Sequence, residues 1–253
     1  MLERFSPKMT DILISFAGGL FAAYIGVISG SGGLISLGAL LFMGYPLPVA
    51  IATNRLASIT ATGSGLWQYN KSKKVNWRLG WQLAIPGAIG ALIGSSLLLN
   101  INERMLEIIL ATVLSCMIPF IFFNKKLGLK TFEPSIYQKI AGYLIYFSFG
   151  ILAGLFGVGI GTLSIIVIAG IFGQTMTRAV ATNLVAWIFL SATALVVFIT
   201  NDLVAYRIAI PMMLGMLIGG GLGAKLAIKK GDTFVKTVLL LVQTIVVIKL
   251  IFF

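Results

Sequence analysis

Ala50-Ile51-Ala52-Thr53-Asn54 recurs in this chain as Ala179-Val180-Ala181-Thr182-Asn183, and 129 residues separate the two copies. Other landmarks recur in the same order, at offsets of 127, 129 and 125 residues. They are Gly30-Ser31-Gly32-Gly33 with Gly157-Val158-Gly159-Ile160, Val75-Asn76-Trp77-Arg78 with Val204-Ala205-Tyr206-Arg207, and Pro86, Gly90 and Gly94 with Pro211, Gly215 and Gly219. Similarity at a fixed offset indicates a repeated unit. The sequence therefore predicts two related units, at residues 1–130 and 131–253.

The composition is that of a membrane protein. Of the 253 residues, 58% are hydrophobic and 10% are charged, and the mean hydropathy is +1.03. Soluble domains have roughly 45 to 50% apolar and about 25% charged residues, so a water-soluble domain is not expected. The net charge of +12 comes from basic residues in short loops between apolar stretches, which argues against a nucleic-acid partner. The expected surroundings are a lipid bilayer.

Each unit contains five apolar stretches, one of them short. In the first unit they lie at about 10–28, 33–45, 48–69, 79–99 and 105–123, and in the second at about 138–156, 161–172, 177–200, 206–227 and 234–253. The first stretch has no small-residue cleavage site followed by polar sequence, so we expect it to be retained. A stretch of 12 or 13 residues is about 18 Å long as a helix, shorter than the roughly 30 Å hydrocarbon core. We predict an all-α polytopic protein with 8 to 10 transmembrane helices and one short or broken helix per unit.

The positions of the basic residues predict the orientation. Twelve of the nineteen fall in three loops, which should be cytoplasmic: Lys71, Lys73, Lys74 and Arg78; Lys125, Lys126, Lys130 and Lys139; and Lys225, Lys229, Lys230 and Lys236. The loop after Thr53-Asn54 and its helix is basic, whereas the equivalent loop of the second unit holds Asn201 and Asp202. The two units are therefore predicted to be inverted, with both termini outside.

The glycine segments are candidate binding elements. Glycines at a helix break expose backbone amides, and the start of a short helix is a site for anions. The alternative is that the glycines only allow close helix packing, and this is what we expect of Gly90, Gly94, Gly215 and Gly219. The candidate residues in the two breaks are Gly30, Ser31, Gly32, Gly33, Gly157, Gly159 and Gly161.

The duplicated Thr-Asn pairs are the second set of candidates. Thr53, Asn54, Thr182 and Asn183 offer neutral hydrogen-bond donors that could replace the hydration shell of a compact oxyanion. The alternative is structural hydrogen bonding between membrane helices. Arg55 adjoins one pair within an apolar helix, and a cation in that position is a candidate functional residue. Arg178 is expected to reach the membrane surface instead, and Trp67, Trp77 and Trp81 are expected at the interfaces.

Several residue types are absent from the predicted helices. The chain has no His, and its seven acidic residues lie in or near loops and helix ends. A cation carrier or a dense proton relay usually needs such groups inside the membrane. Catalytic and metal sites need them too, so we predict no enzyme activity, no metal and no cofactor. The single Cys116 is expected to be a buried packing residue.

The chain resembles the TauE/SafE sulfite exporter family, also called TSUP. The similarity lies in Gly30 to Gly33, Ala50 to Asn54, Val75 to Arg78, Pro86 with Gly90 and Gly94, Phe156 to Gly159, Ala179 to Asn183, and Gly219 with Gly223-Ala224-Lys225. It extends over nearly the whole chain. The resemblance implies a plasma membrane protein of bacterial type that moves sulfite, sulfonates or related anions. The sequence departs from the usual glycine pattern at Leu34 and Ile160, and its one cysteine disfavours transfer of thiosulfate between thiols.

These observations predict a secondary transporter of small sulfur-containing anions. The two Thr-Asn pairs and the amides of the two breaks would form the site, with Arg55 supplying positive potential, and one unit would rock against the other. Two other functions stay open: a passive anion channel, since no coupling group is visible, and a non-transporting subunit of a membrane assembly. No oligomeric state is predicted.

Overall fold

A computed structural model describes residues 8–102, 104–105, 108, 112, 128–129, 131–157 and 159–252. Within these ranges the chain forms eight α-helices and no β-strand. The helices are α1 (Met9–Ser29), α2 (Gly32–Phe42), α3 (Leu47–Lys71), α4 (Trp77–Leu98), α5 (Ile136–Leu155), α6 (Ile160–Gly170), α7 (Met176–Thr200) and α8 (Tyr206–Phe252). The predicted all-α class is confirmed.

Five of these helices are long and apolar enough to cross a bilayer: α1, α4, α5, α7 and residues 206–242 of α8. The helix α3 has 25 residues, a length of about 37 Å, but its polar residues lower its hydropathy. Thr53, Asn54 and Arg55 of α3 are all buried within the protein. The most polar long helix of the first unit therefore lies inside the bundle, as expected of a polytopic membrane protein.

The short stretches predicted near 33–45 and 161–172 are confirmed as the 11-residue helices α2 and α6. Helix α1 ends at Gly30, which has φ of 79° and donates its N–H to the Gly26 carbonyl at 2.7 Å. Helix α6 begins after Gly159, which has φ of 78°. Glycine adopts this left-handed conformation without the steric cost that a Cβ would add. Each short helix thus follows a glycine-dependent break.

The last part of the chain agrees with the prediction except in the extent of the loop. Two stretches, 206–227 and 234–253, were expected on either side of a basic loop, and α8 consists of two helical segments that meet at Gly231, with φ of 79° and ψ of −169°, without a longer loop between them. Lys225, Lys229 and Lys230 therefore lie on helix. The reason is that one glycine supplies the change of direction, and the lysines, alanine and leucine before it favour helix. The stretch 105–123, with Cys116, lies almost wholly outside the described residues.

Helices of the two predicted units pack against one another in two corresponding contacts. The first helix of each unit packs against the fourth helix of the other, α1 on α8 and α5 on α4. Glycines permit the approach, since a Cβ on any of them would collide with a carbonyl of the neighbouring helix. The pairs are Gly215 with Phe16, Gly219 with Leu20, Gly223 with Tyr24, Gly90 with Phe147 and Gly94 with Ile151. Four of these glycines are those expected to serve packing.

Candidate functional site

The two glycine breaks meet inside the bundle. A Cβ on Gly30 would lie 2.6 Å from the Gly161 carbonyl carbon and 2.7 Å from the Thr162 nitrogen. Thr162 Oγ1 donates to the Ser29 carbonyl at 2.8 Å and lies 2.5 Å from Ser31 Oγ. Ser31 therefore joins the break of the first unit to the first turn of α6. The breaks form one junction between the units.

The two duplicated asparagines face this junction, and each uses its amide oxygen as an acceptor. Ser36 of α2 donates to Asn54 Oδ1 at 2.6 Å, and Tyr146 of α5 donates to Asn183 Oδ1 at 2.9 Å. Asn54 is 4% and Asn183 3% exposed. No fully buried side-chain nitrogen or oxygen in the described ranges lacks a partner. Because hydroxyl groups already bind the amide oxygens of Asn54 and Asn183, the amide nitrogens of these two side chains are the donors left for a ligand.

A cavity lies beside these asparagines. Seven of the predicted site residues line it: Gly30, Gly32, Gly33, Asn54, Gly157, Gly161 and Asn183. The other lining residues include Ala22, Ala23, Gly26 and Val27 of α1, Ser36 of α2, Ser58, Ala61 and Thr62 of α3, Ile165 of α6, Val180, Leu184 and Trp187 of α7, and Met216 of α8. Both units contribute, and none of these residues is acidic.

Two helix starts border the cavity. Gly32 and Gly33 open α2, and Gly161 is the second residue of α6. The first N–H groups of a helix have no partner within the helix and carry the positive end of its dipole. The cavity is thus bordered by backbone donors from both units, in addition to the two asparagine amides. Such an arrangement favours an anion.

The duplicated threonines are placed elsewhere, at two equivalent contacts between the units. Thr53 Oγ1 accepts from the backbone N–H of Ala205 at 3.0 Å, and Thr182 Oγ1 accepts from the N–H of Asn76 at 3.3 Å. Thr182 Oγ1 also donates to Gln174 Oε1 at 2.8 Å. Ala205 and Asn76 immediately precede α8 and α4. Each threonine therefore holds the start of the other unit's fourth helix, and neither lines the cavity.

These two hydrogen bonds also fix the relative direction of α3 and α7. Thr53 lies near the start of α3, and its partner Ala205 lies just beyond the end of α7. Thr182 lies near the start of α7, and its partner Asn76 lies just beyond the end of α3. The two helices therefore run in opposite directions. That is compatible with inverted units, whose orientation in a membrane stays a prediction.

Arg55 is buried behind the cavity wall, with 2% of its surface exposed. Its Nη1 donates to Ser191 Oγ at 3.3 Å, and its Nη2 donates to the Ala153 carbonyl. The guanidinium carbon lies 5.6 Å from the centre of the Trp187 ring, and a Cβ on Gly157 would collide with the guanidinium. These partners are neutral, so they leave a positive charge in the interior. Trp187 and Gly157, which both lie against the guanidinium, form the cavity wall in front of that charge.

The remaining candidates do not line the cavity. Gly159 shapes the break before α6, and Ser31 holds the junction. Arg178 is exposed, as expected for a residue at a helix start, and so are Trp67, Trp77 and Trp81. No group of three metal-ligating side chains occurs within the ranges that the structure describes.

Sequence reasoning missed the hydroxyl groups that orient the asparagines. Ser36, a lone polar residue in the apolar helix α2, was one available signal. Tyr146 gave none, since an aromatic residue in an apolar helix usually serves packing. Trp187 and Ser191 correspond to Ser58 and Thr62 in the repeat, and the differing side chains hid that relation. These residues act through contacts between distant parts of the chain.

Comparisons with known proteins give one family model and several similar proteins. A family model described as "Sulfite exporter TauE/SafE" matches residues 15–250. A "Probable membrane transporter protein" of Haemophilus influenzae is 26% identical over 243 residues, covering 96% of this chain and 95% of that protein. "Probable membrane transporter protein ORF9" of a Sinorhizobium species is 24% identical over 239 residues, covering 93% of this chain and 90% of that protein. "Probable membrane transporter protein YfcA" of Escherichia coli K12 is 22% identical over 247 residues, covering 98% and 91%. No solved structure matches significantly.

Proposed function

The chain belongs to the sulfite exporter TauE/SafE family, a membrane transporter family, and on that premise we propose that it is a secondary transporter of small sulfur-containing anions. Sulfite and organosulfonates are the proposed substrates, and the proposed location is the plasma membrane. The proposed process is transport without chemical conversion of the substrate.

The paired asparagines are the observation that carries the proposal. Asn54 and Asn183 occupy equivalent repeat positions, line the same cavity and have their amide oxygens held by Ser36 and Tyr146. A fixed amide oxygen leaves the two N–H bonds of each side chain as donors. An oxyanion offers only acceptors, so two opposed amides supply what it loses with its hydration shell.

The charges around the cavity support an anion over a cation. The lining residues include no carboxylate, and the starts of α2 and α6 present backbone N–H groups. Arg55 adds a full positive charge behind Trp187. Since the interior screens charge far less than water does, this charge would stabilise an anion in the cavity.

A saturable carrier is proposed in preference to a passive channel because the cavity is one-sided. It extends along α3 from Asn54 to Thr62 and along α7 from Val180 to Trp187. Because these helices run in opposite directions, both spans lie toward the end of α3 and the start of α7. A carrier in one of its two conformations has such a closed side. Counterflow of labelled sulfite against a preloaded anion would separate the two, because a channel shows no exchange of this kind.

The central experiment is sulfite flux in proteoliposomes with Asn54→Ala, Asn183→Ala and the double variant. We expect the double variant to lose at least tenfold in initial rate, because both donors are removed. Asn201→Ala is the matched control, since Asn201 is exposed at the end of α7 and bonds only within that region. Sulfate, chloride and methanesulfonate as competitors would define the substrate class.

Unchanged sulfite flux in the double variant would refute the proposed site. Failure of the purified wild-type chain to bind any of these anions, measured by isothermal titration calorimetry, would favour the non-transporting assembly subunit. Size-exclusion profiles matching wild type would show that a loss of flux does not come from misfolding.

A further inference from the structure

The repeat relation gives every cavity-lining residue of the first unit a counterpart in the second. Counterparts are 127 residues apart for α1 and α5, 129 for α3 and α7, and 125 for α4 and α8. Three lining residues and their counterparts matter most: Gly26 with Ala153, Ser58 with Trp187, and Thr62 with Ser191. On the first unit's side these positions border open space.

On the second unit's side the same three positions are the contacts of Arg55. Its guanidinium donates to the Ala153 carbonyl and to Ser191 Oγ, and it lies over the Trp187 ring. Ala153 and Ser191 are both 0% exposed. The Arg55 side chain therefore fills the volume that is open cavity in the related half.

Two further positions of that half are tightly packed. Leu190 and Ala91, the counterparts of the lining residues Ala61 and Met216, are 1% and 0% exposed. A Cβ on Gly87 would lie 2.5 Å from Leu190 Cδ1, and a Cβ on Gly154 would collide with the Ala91 carbonyl.

We infer that Arg55 closes a second, symmetry-related vestibule, through which the substrate passes on the other side of the membrane. This inference rests on the proposed function, since alternating access requires each half to open in turn. Opening the second vestibule requires Arg55 to leave Ala153 and Ser191. Leu184 is the counterpart of Arg55 in the repeat. It lines the open vestibule, at the position that Arg55 occupies in the closed one.

The two vestibules are then chemically unequal. The open one has Leu184 where the closed one has Arg55, so only the second exposes a cation when it opens. An anion entering from that side meets a positive charge directly, whereas from the other side it meets that charge only through the wall formed by Trp187 and Gly157. The asymmetry gives the two faces different apparent affinities for the same anion.

Cysteine accessibility tests this inference without relying on transport. Both reporters are made in a Cys116→Ala background: Ala61→Cys reports on the open half and Leu190→Cys on the closed half. The measured quantity is the rate at which each cysteine reacts in detergent with a small water-soluble methanethiosulfonate. With Arg55 present, we expect position 190 to react at least tenfold more slowly than position 61. With Arg55→Ala, we expect the rate at 190 to rise at least tenfold and the rate at 61 to fall.

Two further variants keep the test decisive. Arg55→Lys keeps the charge but cannot donate to Ala153 and Ser191 at the same time, and Ser191→Ala removes one of these two acceptors. Each should raise the reaction rate at position 190 by a smaller factor than Arg55→Ala does. Ala179→Cys, at a position that is 0% exposed in α7, should stay protected in all variants, which shows that the fold is intact. An unchanged rate at 190 in Arg55→Lys and Ser191→Ala would overturn the inference. If the reaction rate at position 190 rises as expected but the asparagine variants transport sulfite normally, the proposed binding site is refuted, whereas the inference about Arg55 is supported.

Discussion

Replacing Thr53 or Thr182 with valine separates the two interpretations of the duplicated Ala-x-Ala-Thr-Asn segment. Valine has nearly the shape of threonine but cannot accept or donate a hydrogen bond. If the hydroxyls bind substrate, the substitutions should reduce anion affinity. If they hold the starts of α8 and α4, as the contacts with Ala205 and Asn76 indicate, the substitutions should reduce stability.

The number of hydrogen bonds lost in each variant determines the expected decrease in the free energy of unfolding. An unsatisfied buried polar group costs about 1–3 kcal/mol, and Ala205 and Asn76 are each partly exposed, which favours the lower half of that range. Thr53→Val leaves one N–H unpaired, so we expect a loss of about 1–2 kcal/mol. Thr182→Val leaves both the Asn76 N–H and the Gln174 Oε1 unpaired, so we expect about 2–4 kcal/mol.

The assay is reversible unfolding in mixed detergent micelles, with sulfite binding measured on the same samples. Thr193→Val is the matched control, because the Thr193 hydroxyl donates only to the Phe189 carbonyl of its own helix. We expect the control to unfold at the wild-type detergent composition. Both test variants should still bind sulfite at concentrations where they are folded.

A specific result would refute this reasoning. If both valine variants unfold like wild type and lose sulfite binding, the threonines are ligands and the observed contacts are not the ones that matter. A larger destabilisation by Thr53→Val than by Thr182→Val would also contradict the count of hydrogen bonds on which the estimate depends.

Two further predictions concern the junction and the asparagines. Gly30→Ala should lower the free energy of unfolding by more than about 2 kcal/mol, because it combines a φ of 79° with a close approach to Gly161; Gly38→Ala, with no atom within 4 Å of the added Cβ, should be neutral or stabilising by the same unfolding assay. Tyr146→Phe removes the donor that orients Asn183 and should weaken sulfite binding threefold to tenfold in calorimetry with a stability change of about 0.5–1.5 kcal/mol; unchanged affinity would show that the amide needs no such support.

The parts of the fold visible in the sequence are those set by local pattern. Apolar stretches placed the helices, and Gly30 and Gly159 marked the breaks before α2 and α6, because a left-handed residue at a helix end selects glycine. The offset of 129 residues between the two Thr-Asn segments predicted that the chain contains two related units. The single glycine at 231 did not distinguish a kink from a loop, which is why the two stretches at the end of the chain were predicted correctly but separated by a loop that is too long.

The site was less predictable because its contacts join distant residues. The sequence showed two identical Thr-Asn pairs but not that Thr53 faces Ala205 while Asn54 faces the cavity. Adjacent residues on a helix point about 100° apart, so one of them can serve packing and the other a ligand. Likewise, no local feature of Arg55 indicated that it would lie across Ala153 and Ser191 in the other unit. Such roles depend on how the two units pack.

The parallel contact of α1 with α8 has a consequence for biosynthesis. Phe16 and Gly215 touch in the finished protein, yet about two hundred residues are synthesised between them. Helix α1 therefore lacks this partner until α8 has been synthesised, and the face of α1 that holds Phe16, Leu20 and Tyr24 is not covered by α8 for most of translation. We expect this contact to form only once most of the chain has been synthesised, so a chain that stalls before α8 would contain α1 without the helix against which it packs.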